Sequence, residues 1–161
     1  MEIVTVQPLT TTEFRVAMGD TDAARVIYFG APLRWAERLV TTWLADSGNS
    51  TSEAIDSGYG MPAVHVDIDY TSALRLDDIV CASLWLDRRS ARSVTFRSEF
   101  ARAGTHDVAV VVRVTQVQVK STAAGPVPVA LRPGLAAALP SVSQNPTPVM
   151  KVRAHGSQHR S

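Results

Sequence analysis

Hydrophobic and polar residues alternate along this chain with two different periods. Between about residues 12 and 18, Phe14, Val16 and Met18 alternate with Glu13, Arg15 and Ala17, the two-residue period of a strand with one buried face. From residue 32 to about 47 the period lengthens. Ala36, Leu39, Val40, Trp43 and Leu44 recur at three- and four-residue steps and predict an amphipathic helix. Pro32 suits the first turn of that helix, where its missing N–H costs nothing, and Gly48 is a natural stop. A short helix is predicted near residues 52–56, with Ser50, Thr51 or Ser52 as its cap. Gly58, Gly60 and Pro62 then break the chain. Four extended segments follow at about residues 64–70, 79–86, 94–100 and 108–119. In the last of them the apolar phase shifts between Val114 and Val117, which predicts a bulge. Strand, long helix and four strands make an α+β domain: an antiparallel sheet of about five strands against one helix. Prolines thicken after Ala123 and the apolar period fades. A single domain is expected over residues 1–140, with 141–161 as a flexible tail.

Composition narrows the picture without redirecting it. The 161 residues are 45% hydrophobic and 19% charged, a balance that supports a folded core rather than disorder. Sixteen Lys and Arg against 15 Asp and Glu leave a net charge of +1, so a nucleic-acid partner is not expected and any basic site must be local. The first ten residues lack the basic and apolar regions of a leader. No run approaches the roughly 18 apolar residues of a membrane span, so a cytoplasmic location is expected, with no membrane partner. The single cysteine, Cys81, lies in an apolar strand and is expected to be a buried structural thiol. No spacing of Cys, His, Asp and Glu matches a zinc site, and neither metal nor cofactor is expected.

The segment from Asp20-Thr21-Asp22 through Arg25, Tyr28, Phe29 and Gly30 to Pro32 and Trp35 resembles the signature of the 4-hydroxybenzoyl-CoA thioesterase family of hot-dog proteins. There, a D-x-D segment precedes an aromatic-containing loop and a central helix. Asp69-Tyr70 with Leu74 to Asp78, and the run from Arg92 to Phe96, extend the resemblance over roughly residues 12–120. It implies a hot-dog fold, in which the sheet wraps around the long helix. It also implies hydrolysis of an acyl-CoA or acyl-carrier-protein thioester, and a homodimer or homotetramer. Unpaired strand edges supply a physical motive for that assembly.

By the same resemblance Asp22 is the catalytic carboxylate and Asp20 a supporting residue. A thioester carbonyl gains little resonance stabilisation. It needs a carboxylate to attack it, or to activate water, and donors for the developing oxyanion. The amides of Phe29 and Gly30, at the start of the predicted helix, are the candidate donors. Taken alone, both aspartates are also ordinary turn residues. Arg25 stands where the family usually has glycine, Ala31 where it has asparagine and Pro32 where it has an aromatic residue. Phe29 stands where some members carry histidine, which removes an Asp–His mechanism there.

Further candidates for substrate contact are Arg25, Tyr28, Trp35, His65 and the cluster Arg88, Arg89 and Arg92. The cluster sits at a strand turn, where guanidinium groups suit the phosphates of coenzyme A or the acidic face of a carrier protein. His65 is also readable as an exposed histidine, Trp35 and Trp43 as packing groups, and the arginines as a solvated hairpin tip. His106, His155 and His159 suggest no site. Two other functions remain in view: a hot-dog dehydratase, which would need a histidine near the helix start, and a non-catalytic acyl-binding module, motivated by the changes at Arg25, Ala31 and Pro32.

Overall fold

The computed structural model describes residues 7–141. In chain order they form β1 (Thr10–Arg15), a 3-10 turn at Met18–Asp20, α1 (Ala31–Asp46), α2 (Thr51–Asp56), β2 (Tyr59–Gly60), β3 (Ala63–Tyr70), β4 (Ile79–Arg89), β5 (Ser93–Arg102), β6 (Val108–Val117), β7 (Val119–Lys120), β8 (Val127–Pro128) and α3 (Pro133–Ala138). The main sheet has five antiparallel strands in the order β1-β4-β5-β6-β3, and β2, β7 and β8 make a small second sheet.

Helix α1 lies across the main sheet because its apolar stripe has one place to be buried. Trp35, Ala36 and Leu39 pack with Val80, Ala82, Phe100 and Val112 at one end. Val40, Trp43 and Leu44 pack with Leu84, Val94 and Phe96 at the other. The helix starts with proline in its first turn and ends ahead of Gly48, whose φ of +75° suits a residue without a Cβ. The inward residues of β4 and β5 alternate strictly, so Cys81, between Val80 and Ala82, points to the other face and is exposed. This corrects the expectation of a buried thiol.

Two further expectations change. Met18 belongs to the 3-10 turn and is exposed, because the strand ends at Arg15. The phase shift near Val114 coincides with an irregularity in the pairing: β5 and β6 stay in register from Ser93↔Val117 to Phe100↔Val110, but β3 and β6 shift between Ala63↔Gln116 and His65↔Thr115, with the extra residue, Val64, on β3 and none inserted in β6. The chain changes sheets at Gln118, which is buried, donates to the Ala130 carbonyl and accepts from the Arg132 amide. Finally, the proline-rich stretch is structured through Leu139, since Leu131, Leu135 and Leu139 complete the second cluster. The tail expected at 141–161 lies outside the described residues, except for Ser141.

Strand β3 is an edge with a single neighbour, β6. Its apolar face is covered only in part: Ile68 packs against the first cluster, whereas Val64, Val66 and Tyr70 are exposed.

Candidate active site

Residues 20–28 fold back on themselves. The Tyr28 amide donates to the Asp20 carbonyl (3.0 Å), the Asp22 amide donates to the Val26 carbonyl (2.9 Å), and Thr21 and Ile27 form a bridge between these bonds. Asp22 thus stands next to the tip of a tight loop. Its Oδ1 accepts the Ala24 amide at 2.8 Å, its Oδ2 has no partner among the described residues, and the side chain is exposed. At the tip, Arg25 takes a φ of +62°, which explains why glycine is usual there in the family the segment resembles.

Asp20 is used differently. One oxygen accepts the Ala17 amide (3.0 Å), while the other accepts Arg34 Nη2 (3.1 Å) and Trp35 Nε1 (3.2 Å). Its carboxylate is only 16% exposed and fastens the loop to the first turns of α1, so its oxygens serve the protein rather than a substrate. Trp35 is 4% exposed and packs edge-on against Phe14 and Phe100 at 4.9 and 5.3 Å between centroids, which makes it a packing group.

The start of α1 supplies free donors. Among the described residues the Phe29 and Gly30 amides meet no acceptor, whereas the Ala31 amide bonds to the Tyr28 carbonyl at 3.0 Å. No side chain caps the helix, so its positive end is unspent. The Tyr70 hydroxyl donates to the Phe29 carbonyl and ties this corner to the end of β3. Burial pushes the Tyr70 pKa up, which keeps the phenol protonated as a donor. Gly30 is required for a reason sequence did not give. A Cβ there would meet Tyr28 Cε2 at 2.7 Å, so glycine makes room for the half-buried Tyr28 ring, which is capped by the Arg34 guanidinium at 5.3 Å. The Phe29 side chain is 82% exposed in the single chain.

The remaining candidates do not converge on this corner. His65 is exposed, 3.6 Å from the Asp67 carboxylate and toward the far end of β3 from Tyr70. Arg88, Arg89 and Arg92 lie at the β4–β5 turn. The Asp22 loop sits at the other end of β4, where the Val16 amide bonds to the Asp78 carbonyl. Eleven residues of strand separate the two by about 30 Å. Arg89 moreover donates to the Ala136 and Leu139 carbonyls, clamping α3, and is corrected to a structural residue. Arg88 and Arg92 are exposed. Sequence reasoning missed Arg34, although it stands four residues after Gly30 and therefore on the same side of the helix start. It also missed Arg75, which bridges to Val26 and shares a depression of about 240 Å³ with Arg25.

A larger cavity of about 520 Å³ begins one turn into α1, at Leu33 and Arg34, and runs between α1, α2 and the β3–β6 edge to Leu44 and Leu135. None of the candidate site residues lines it, although Ala36, Val40 and Leu44 of the predicted helix stripe do. No group of His, Cys, Asp and Glu suited to a metal occurs among the described residues, and no helix there is long and apolar enough to cross a membrane.

The chain is similar to known thioesterases. The chain is 29% identical over 110 residues to a 1,4-dihydroxy-2-naphthoyl-CoA hydrolase of Synechocystis, covering 62% of this chain and 80% of that protein. The crystal structure of a 1,4-dihydroxy-2-naphthoyl-CoA thioesterase from Synechocystis superposes with a TM-score of 0.72 at 24% identity, over 80% of this chain and 93% of the other. A mutant 4-hydroxybenzoyl-CoA thioesterase complexed with 4-hydroxybenzoyl-CoA gives 0.72 at 14% identity, over 80% and 96%. The family model described as the thioesterase-like superfamily matches residues 16–140, which take in the loop, the helix and every strand of the wrapping sheet except β1. The chain therefore belongs to the thioesterase-like superfamily and has its hot-dog fold.

Proposed function

We propose that this protein is a thioester hydrolase acting on an acyl group carried by coenzyme A or an acyl carrier protein, with Asp22 as nucleophile or general base. The observation that carries the proposal is one corner of the fold: a carboxylate with a free oxygen on a tight loop, and two unspent amides where that loop runs into α1. The amides of Phe29 and Gly30 accept the negative charge that develops on the carbonyl oxygen, aided by the helix dipole. As nucleophile, Asp22 forms a mixed anhydride and expels the thiolate, which takes up a proton, and water then cleaves the anhydride. As general base, Asp22 takes the proton of a water that attacks directly. Family membership and the Synechocystis hydrolase support the reaction class. Among the described residues no histidine stands at the helix start, which disfavours a dehydratase.

The corner lies at an open sheet edge, with Phe29 uncovered and tied to β3 through Tyr70. A second copy pairing antiparallel along β3 satisfies that edge and walls the site. It also brings the partner's Val64–His65 region toward the Tyr70 end. Arg88 and Arg92, remote from Asp22 in one chain, can reach a bound nucleotide only from a neighbouring chain. Single-turnover hydrolysis in oxygen-18 water separates the mechanisms. Label appearing in the Asp22 carboxylate marks nucleophilic attack, since a water activated by a general base delivers its oxygen only to the product. If no free thiol is released from any acyl-CoA or acyl-carrier-protein substrate, the proposal fails.

A further inference from the structure

From the cavity beside α1 we infer that the acyl group is an extended apolar chain, threaded along the helix away from Asp22, rather than a compact ring; this rests on the thioesterase reading above. The cavity wall on the α1 side runs along Leu33, Ala36, Val40, Thr41 and Leu44, with Arg34 and Glu37 beside them, over about three turns of the helix. The wall starts one turn beyond the Gly30 amide, so the site of thioester attack and the mouth of the cavity are continuous along one helix. Eleven residues at about 1.5 Å each make it about 16 Å long. At about 1.2 Å per bond of an extended chain, that accommodates roughly a dozen carbons.

The polar residues in the wall do not argue for a polar ligand, because their donors are already taken. Asn49 donates to the Ser47 carbonyl and Gln118 to the Ala130 carbonyl, at 3.0 and 2.7 Å. Gln116 donates to the Met61 carbonyl at 3.0 Å. The charged side chains in the lining are Arg34 at the mouth, already bonded to Asp20 and the Gly19 carbonyl, Glu37, and Arg132, whose guanidinium lies 5.5 Å from the Tyr59 ring; most of the rest is hydrocarbon. Leu135 of α3 closes the far end, so the chain terminus meets an apolar stop. At about 520 Å³, the volume is that of a site for a whole small ligand.

The test uses S-alkyl-CoA thioethers, which bind but cannot be hydrolysed, titrated calorimetrically in a series from butyl to hexadecyl, with S-benzyl-CoA as the compact ring. Affinity is expected to climb up to about dodecyl and then level off. Dodecyl should exceed butyl by roughly a hundredfold or more, since each buried methylene gains about three- to fourfold. S-benzyl-CoA should fall well below dodecyl. Thr41→Trp fills the channel about two-thirds of the way along and should compress the dodecyl-to-butyl ratio at least about tenfold, with Ala54→Leu as a gentler obstruction should the first variant fold poorly. Equal affinities across the series, or a ratio unmoved by a folded obstructing variant, overturn the inference. The corresponding thioesters are assayed in parallel. Chain-length-dependent binding without turnover of any thioester sinks the hydrolase reading and upholds the channel, whereas turnover indifferent to chain length does the opposite.

Discussion

Arg25 holds a left-handed conformation, at φ +62°, that L-residues with a Cβ adopt only at a cost. Arg25→Gly is expected to stabilise the protein by about 1 kcal/mol against chemical denaturation, less what glycine loses in the unfolded chain. Arg25→Ala keeps the strain and should show no gain, which separates backbone relief from loss of charge. A second residue-level prediction concerns Cys81. Its thiol is exposed, yet its pKa is raised, first by partial desolvation and then by the Glu13 carboxylate 3.5 Å away on β1. Raising a thiol pKa lowers the thiolate fraction at a given pH, and the thiolate is the reactive form. Glu13→Gln removes the neighbouring charge, and alkylation of Cys81 at pH 8 should speed up about two- to fivefold. An unchanged rate would show that Glu13 does not govern the thiol.

The unit that matters at the next scale is the loop of residues 20–28 together with the start of α1. Its two aspartates have divided the work. Asp20 accepts three protein donors, and Asp22 accepts one. Asp20→Asn should therefore cost stability, about 1–3 kcal/mol, since it removes charge-assisted bonds from a largely covered carboxylate. Asp22→Asn should leave the melting temperature within about a degree, because a surface change away from core contacts stays within roughly 0.5 kcal/mol. It should nonetheless lower kcat by about a hundredfold or more. Thermal melts and thiol-release assays on both variants decide the point. If the effects were reversed, Asp20 would be the reacting carboxylate.

For the whole molecule the open question is what completes the β3 edge. Val64, Val66 and Tyr70 are exposed at 61%, 40% and 49% on this edge strand. A dimer through this edge would bury them and join two five-stranded sheets. Val64→Lys places a charge on the pairing surface and should shift the protein to monomer in sedimentation velocity at micromolar concentration. The monomer should also lose most thioesterase activity, since Phe29 would then face open solvent. A monomeric wild type would remove this edge from the account of the site.

Local periodicity was enough to specify the order of the main elements, the extent of α1 and the stop at Gly48, because burial of one helical stripe against alternating strands leaves a repeating mark on the sequence. Asp22 and the helix-start amides became candidates through the resemblance of residues 20–35 to a family signature, since periodicity alone reads both aspartates as turn residues. Other features left no such mark. A period-two strand looks the same whether or not a helix covers it, so the partial exposure of β3 appears only once α1 is placed over β4, β5 and β6. The residues 131, 135 and 139 that complete the core occupy three turns of chain with only one short helix among them, too little for periodicity to register. Distance was decided by the fold alone. It put the arginines of the β4–β5 turn a strand's length from Asp22, turned Asp20, Trp35 and Arg89 inward to bond or pack against the protein, and opened beside α1 a cavity lined by none of the candidate site residues. Contacts between residues far apart in sequence depend on how strands pair and where the helix lies, and no local pattern encodes that.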